Sequence, residues 1–142
     1  MTPEAMFGLV NLLILPAWLL LVFAPRAGVT ATWVHSGLYS GLFALAYVAF
    51  MAVAWPGISL DYSSLGSVRD LLGHPWVLLA GWVHYLAFDL FVGAWIVRDG
   101  RAWVIAHPWL LPPLFLTFYA GPVGLGIYLL MRRLRRDPGR TA

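Results

Sequence analysis

Long apolar stretches are the feature that most limits how this chain can fold. Four of them occur, at residues 4–24, 33–55, 75–97 and 108–131, separated by short polar connections. Each has the length that an α-helix needs to cross the hydrocarbon core of a bilayer, ~20 residues. With 61% hydrophobic and 11% charged residues, the chain has too few charges to cover a water-soluble surface. The sequence therefore predicts an all-α integral membrane protein, a four-helix bundle formed by one domain, residues 1–142.

The connection between the second and third stretches is the longest polar segment. In residues 58–74, serines, Arg69 and Asp70 alternate with leucines and Val68. This pattern is typical of a short amphipathic helix at a membrane interface. Within the fourth stretch, Gly121-Pro122 predicts a distortion or a break.

The charge distribution predicts an orientation. The net charge is +3, and all of the basic residues are arginines. With four spans both termini share one side, and that side carries six arginines against three on the other. Because cytoplasmic loops are enriched in basic residues, we expect both termini to be cytoplasmic, in the inner membrane of a bacterium. The arginines at 132–136 are interpreted as a lipid-surface anchor, not a nucleic-acid site.

Two ionisable side chains fall deep inside a predicted span. Asp89 is the one acid well within an apolar stretch, and His84 is the one histidine at comparable depth. A charged side chain at the bilayer centre costs at least ~2.5–3.5 kcal/mol on insertion scales. A functional site is one explanation, with His84 and Asp89 as candidate catalytic residues. An Asp–His or Asp–Tyr hydrogen bond that joins two helices is the structural alternative.

The spacing of this pair limits its chemistry. A separation of five residues places the two side chains roughly 140° apart around a helix and about 7.5 Å apart along it. They are thus not expected to bind one metal ion unaided, and no metal site is predicted. The two groups could bracket a substrate from two sides of an interior cleft. Tyr85, Asp89 and Gly93 share one stripe of the helix.

Other polar and aromatic groups are candidates for contacting a substrate at this depth. For each of them, an interhelical hydrogen bond is the alternative role. The absence of cysteine excludes thiol catalysis and an Fe–S cluster. The candidate substrate-binding residues are Asn11, Tyr39, Trp82, Tyr85 and Tyr119.

Several segments resemble one known family. Residues 81–96, GWVHYLAFDLFVGAWI, closely resemble the signature of the abscisic-acid-deficient-four-like family, whose plant members are the neoxanthin synthases of the chloroplast. Residues 119–125, YAGPVGL, resemble a second family segment, and Asp99-Gly100 follows the third span as in the family. Asn11, with LPAW at residues 15–18 and Pro25, is similar to the first-span pattern.

The resemblance implies a carotenoid-linked membrane enzyme. The plant reaction opens an epoxide and removes a proton from a polyene carbon, which is a redox-neutral isomerisation. It needs an acid and a base but no cofactor, and His84 and Asp89 carry over as the pair. Ala94 stands where plant members have arginine, so a different carotenoid, a retinoid or another isoprenoid lipid becomes the expected partner.

Two other functions stay open from the sequence. The chain could be a non-catalytic carotenoid- or lipid-binding partner of another membrane protein. It could also be a metal-dependent carotenoid oxygenase, although that chemistry calls for more histidines at mid-depth. Small-residue helix faces permit a homo-oligomer.

Overall fold

A computed structural model describes residues 2–135 of the chain. Within this range the chain is all-helical, as predicted. We number its six longer helices in chain order: α1 Pro3–Phe23, α2 Leu38–Ala54, α3 Leu65–Leu72, α4 Pro75–Ala102, α5 His107–Ala120 and α6 Pro122–Arg133. A π-helical turn, Ala31–His35, leads into α2, and a 3-10 turn, Trp55–Gly57, ends it.

Three helical segments are long and apolar enough to cross a membrane. They are Pro3–Phe23, Gly28–Gly57 and Pro75–Ala102, and they correspond to the first three predicted spans. The central helix α4 packs against both α1 and α2. The predicted amphipathic helix is also present as α3, where Ser64 caps the first turn by accepting a hydrogen bond from the Ser67 N–H at 3.0 Å.

The fourth predicted span differs from the structure. Residues 108–131 do not form one crossing helix but two short helices, α5 and α6, that fold back on each other. Leu110 in α5 contacts Gly100, and the turn at Gly121 contacts Asp89, so α5 runs antiparallel to α4. Arg132 near the end of α6 lies beside Asp99. The end of α6 is therefore close to the end of α4, near where α5 begins.

Backbone geometry explains the hairpin. Gly121 has φ +35° and ψ −92°, a conformation that ends α5, and Pro122 begins α6 without an N–H to continue the ladder. The helices pack closely, because the Cα of Gly124 faces Thr117 and the Pro113 carbonyl with no space for a Cβ. With 14 residues in α5, the hairpin reaches ~21 Å from its base, less than the ~30 Å of the hydrocarbon core.

Asp99 at the end of α4 anchors the open end of the hairpin. Its carboxylate accepts a hydrogen bond from the Tyr128 hydroxyl and pairs with Arg132 Nε at 3.3 Å. The Arg132 guanidinium also lies 4.7 Å from the centre of the Trp103 ring, a cation–π geometry. These contacts hold α6 against α4 at the end opposite the Gly121 turn.

The hairpin changes the expected topology. Phe7 near the start of α1 contacts Trp82 in the first half of α4, whereas Arg135 donates a hydrogen bond to the Val104 carbonyl just beyond α4. Residues 3 and 135 therefore lie at opposite ends of α4, not on the shared side that four spans would require. In the described residues, one end of the bundle carries Arg69 and the other carries Arg26, Arg98, Arg101, Arg132, Arg133 and Arg135. Arg136 and Arg140 lie outside the described residues.

Candidate functional site

Other helices cover one face of α4 along only half of its length. Leu78, Trp82, Tyr85 and Asp89 lie three or four positions apart and so share this face. From Asp89 onwards the α5–α6 hairpin and α1 cover it. Because the hairpin turns at the level of Asp89, the first half of the face is left without a helix on top of it.

The uncovered half forms a groove, which we call the α4 groove. It has a volume of about 650 Å³ and lies between the beginnings of α1 and α4 and the end of α3. Its lining is mostly apolar. Its polar side-chain groups are Glu4 near the outer end, the Trp82 indole N–H, which donates to Asn11, and the Tyr85 hydroxyl at the inner end. The lining residues are Pro3, Glu4, Phe7, Leu72, Pro75, Leu78, Leu79, Gly81, Trp82 and Tyr85.

Asp89 lies just beyond the inner end of the groove, against the hairpin turn. Its side chain is only 8% exposed, and a Cβ on Gly121 would lie 2.7 Å from its Oδ1. Among the described residues its Oδ2 has no hydrogen-bond partner. A buried carboxylate oxygen without a partner is costly, so such groups concentrate at functional sites.

Tyr85 connects the groove with Asp89. It lines the groove and lies one helical turn before Asp89, and its hydroxyl is close to both the Asp89 carboxylate and the Gly121 backbone. The predicted shared stripe of Tyr85 and Asp89 is therefore seen in the structure. A molecule in the groove would meet the phenol first and the carboxylate behind it.

Asn11 and Trp82 form one unit on the wall of the groove. The Asn11 side-chain oxygen accepts a hydrogen bond from the Trp82 indole N–H at 3.0 Å, and its amide nitrogen donates to the Phe7 carbonyl at 2.8 Å. The indole lies between the rings of Phe7 and Tyr85, with centroids 5.5 and 5.4 Å away. Asn11 thus fixes the indole orientation, and its own contact with a groove occupant is indirect.

His84 lies on a different face of α4. Its side chain is exposed on the bundle exterior, with its ring centre 4.5 Å from that of Phe88 and 5.8 Å from that of Tyr47. The structure does not bring His84 and Asp89 together, because five residues of helix turn them apart and different neighbours pack against the two faces. The expectation of a shared cleft for this pair does not hold in this structure.

Two more predicted residues lie away from the groove. The Tyr39 hydroxyl donates a hydrogen bond to the Leu13 carbonyl, and its ring stacks on Phe43, so it joins α1 to α2. Tyr119 is 77% exposed near the hairpin turn, and its ring stacks on that of Phe115, at 6.5 Å between ring centres.

Sequence reasoning missed the role of Gly121 at this site. Gly121-Pro122 was a visible signal for a break, but nothing local shows that the break would face Asp89. Ala94, the departure from the plant pattern, is buried in the core with 1% exposure and does not line the groove.

The histidines are dispersed within the part of the chain that the structure describes. His35 and His107 contact the Pro25 and Val22 carbonyl oxygens at 3.0 and 2.9 Å, and His74 precedes α4. Residues 2–135 contain no group of three or more histidine or acidic side chains that could hold a metal ion.

Comparison with known proteins gives one family and two relatives. The family model described as ABA DEFICIENT 4-like matches residues 5–128. The chain is 24% identical over 105 residues to the chloroplastic protein ABA DEFICIENT 4 of Arabidopsis thaliana, covering 68% of this chain and 48% of that protein. It is 34% identical over 104 residues to the heme-binding subunit MsrQ of the protein-methionine-sulfoxide reductase of Caulobacter vibrioides, covering 69% and 46%. The chain spans about half the length of these curated relatives, and no solved structure matches it significantly.

Proposed function

Because the chain belongs to the ABA DEFICIENT 4-like family, we propose that it is a membrane enzyme that isomerises a carotenoid-like or other isoprenoid lipid bound in the α4 groove. The observation that carries the proposal is the buried Asp89 carboxylate, which has an oxygen without a partner among the described residues and lies directly behind Tyr85 at the inner end of an apolar groove. An apolar wall suits a hydrocarbon chain, and a polar inner end suits one oxygen-bearing terminus.

Asp89 and Tyr85 together supply what an acid–base isomerisation needs. In an epoxide-bearing substrate, Asp89 takes a proton from a polyene carbon beside the epoxide, the electron pair of that C–H bond forms the new double bond, and one epoxide C–O bond breaks. The oxygen stays on the substrate through its other C–O bond and takes a proton from the Tyr85 hydroxyl. Tyr85 then regains a proton from Asp89, so the cycle closes with no net oxidation and no external reagent. This assignment replaces His84 with Tyr85 as the partner of Asp89.

The membrane environment supports this chemistry. The bilayer and the hairpin turn keep bulk water from Asp89, so a proton is exchanged with the substrate and not with solvent. Asn11 and Trp82 act as positioning residues that shape the wall beside the reacting end. Localisation follows the same reasoning: we propose a bacterial inner membrane, with the arginine-rich end of the bundle in the cytoplasm.

The similarity to a heme-binding subunit raises a second candidate function. Heme iron is held by axial protein ligands, often a histidine, and a heme with two histidine ligands needs both side chains to face each other across it. Here only His84 lies inside α4, and its ring packs on Phe88 and Tyr47. His35, His74 and His107 lie at helix ends. The described residues do not fit a heme with two histidine ligands within one chain.

Expression in a carotenoid-producing bacterial host tests the proposal. We expect a new pigment isomer on chromatography with the full chain, lost in Asp89→Asn and Tyr85→Phe. Asp70→Asn and Tyr119→Phe are matched controls, because both residues are exposed and lie outside the groove. Equal pigment profiles with and without the chain, across several carotenoid and retinoid backgrounds, would contradict the enzyme proposal. A Soret absorbance band in purified protein, lost in His84→Ala, would instead favour the heme-binding function.

A further inference from the structure

We infer, on the basis of the proposed function, that the α4 groove selects a single-ended isoprenoid about half a bilayer long, such as a retinoid, over a full-length carotenoid with a ring at each end. The inference concerns the length and the polarity pattern of the occupant, which follow from where the groove begins and ends.

The outer end of the groove lies where helices begin. Pro3 and Pro75 are the first residues of α1 and α4, and Leu72 is the last residue of α3. From Pro75 to Tyr85 the helix advances ten residues. At a rise of 1.5 Å per residue this is ~15 Å, or half of the ~30 Å hydrocarbon core.

The inner end of the groove is closed. Asp89 is pressed against Gly121, where even a Cβ would lie 2.7 Å from its Oδ1. Further along the same face, Trp18 packs on Gly93 and Leu110 packs on Gly100, each so closely that a Cβ would not fit. A chain that enters the groove therefore cannot continue along α4 past Tyr85.

The polar groups of the groove are distributed unevenly. The walls between the two ends are apolar except for the Trp82 indole N–H, which is already bonded to Asn11, and the reactive polar groups, Tyr85 and Asp89, lie together at the inner end. This arrangement matches a ligand with one oxygen-bearing terminus and an apolar remainder. Among residues 2–135, the outer end, beside the exposed Glu4, offers no enclosed polar partner for a second terminus.

A full-length carotenoid does not fit these limits. A conjugated polyene is stiff, so with one ring at Tyr85 its second half would extend beyond Pro75 and leave the hydrocarbon. When the ligand binds, each CH₂-sized group that stays in water loses the favourable free energy of its burial. Two such groups are enough to weaken binding by about tenfold. A half-length chain ends inside the hydrocarbon and has no such cost.

The experiment compares two probes on the full chain in lipid nanodiscs of one composition. All-trans-retinol has one polar end, and zeaxanthin has a ring and a hydroxyl at each end. Binding is followed by quenching of tryptophan fluorescence and expressed as mole fraction of lipid, so that both probes are compared in the same solvent. We expect retinol to bind at least about tenfold more tightly than zeaxanthin, as the loss of two buried CH₂ groups implies.

A groove-filling variant supplies the second measurement. Leu78→Trp narrows the groove and is expected to abolish retinol binding. Leu45→Trp adds the same ring on α2, where Leu45 is 67% exposed and outside the groove, and should leave binding unchanged. If Leu78→Trp does not fold, Gly81→Leu is compared with Gly8→Leu, because Gly81 lines the groove and Gly8 faces open space.

The outcomes separate the two claims. Zeaxanthin binding as tight as retinol, and equally sensitive to the groove variants, would overturn the length inference and leave the proposed function intact. If neither probe binds, and other isoprenoids tested by the same fluorescence assay do not bind either, the proposed function fails as well. Retinol binding that a folded groove variant leaves unchanged would show that the ligand lies elsewhere, and would overturn the inference.

Discussion

Replacing Gly121 with alanine tests the packing of the hairpin turn directly. At φ +35° and ψ −92°, a residue with a Cβ is strained by about 1–2 kcal/mol. The new Cβ would also lie 2.7 Å from Asp89 Oδ1 and 3.3 Å from its Cγ, an overpacking that costs about 1–3 kcal/mol. We therefore expect Gly121→Ala to lower the free energy of unfolding by about 2–5 kcal/mol, the sum of these two contributions.

The assay is SDS-driven unfolding in mixed micelles, followed by tryptophan fluorescence. Gly126→Ala is the matched control, because Gly126 lies in α6 with open space where its Cβ would be. That variant is expected to be neutral or to gain up to about 1 kcal/mol from helix propensity.

A double-mutant cycle separates the backbone strain from the clash. In an Asp89→Ala background, Gly121→Ala should lower the free energy of unfolding by about 1–3 kcal/mol less than it does in the wild-type background, because the carboxylate that would clash with the new Cβ is gone. Additive effects of the two changes would refute the proposed contact between Gly121 and Asp89. A Gly121→Ala variant as stable as Gly126→Ala would refute the hairpin turn itself.

Three further predictions follow from contacts at the two ends of the bundle. Tyr128→Phe removes the hydroxyl that donates to the Asp99 carboxylate, and should cost about 1.5–3 kcal/mol in the same unfolding assay; no loss would mean that this contact does not anchor α6. In this cysteine-free chain, Ser63→Cys should react with an impermeant thiol reagent in intact cells and Arg101→Cys only after lysis, whereas labelling of both from one side would contradict a three-crossing topology. Hydrogen bonds from the Ser67 side chain, and from the Ser63 side chain and backbone N–H, lower the Asp61 pKa from 3.8 to about 2, so their stabilisation of the loop is complete above pH 3.8 and is lost as the pH falls through about 2; an NMR titration midpoint near 4 would contradict these bonds.

The sequence predicted the crossing helices well, because hydropathy is averaged over their whole length. The first predicted span, residues 4–24, corresponds to Pro3–Phe23. The third, residues 75–97, begins correctly at Pro75 but ends at Ala102, since hydropathy does not register helical turns that continue beyond the hydrocarbon. Arg98 in this extension donates a hydrogen bond to the His35 carbonyl at 2.6 Å, a contact between distant parts of the chain that local sequence does not encode.

The direction of the chain after Gly121 could not be predicted. A break was expected there, but a kinked crossing helix and a hairpin share the same apolar pattern. The choice is made by the positive φ of Gly121 and by the Asp99–Arg132 pair, which joins residues far apart in the chain.

The sequence predicted which residues of the candidate site share a helix face, but not which face other helices would cover. Helical periodicity correctly grouped Tyr85 with Asp89 and separated His84 from them. It did not show which of the two faces would be covered by other helices. That depends on where the hairpin ends, and the hairpin itself was not predicted.

Because the α5–α6 hairpin enters and leaves through the same membrane surface, its insertion does not require a charged end to cross the bilayer. No guanidinium of Arg132, Arg133 or Arg135 has to be carried through the hydrocarbon, which would cost at least ~2.5–3.5 kcal/mol each. The α5–α6 hairpin can insert from one leaflet after the third crossing helix has entered the bilayer. The candidate site is thereby completed only after the three crossing helices, when Gly121 packs beside Asp89.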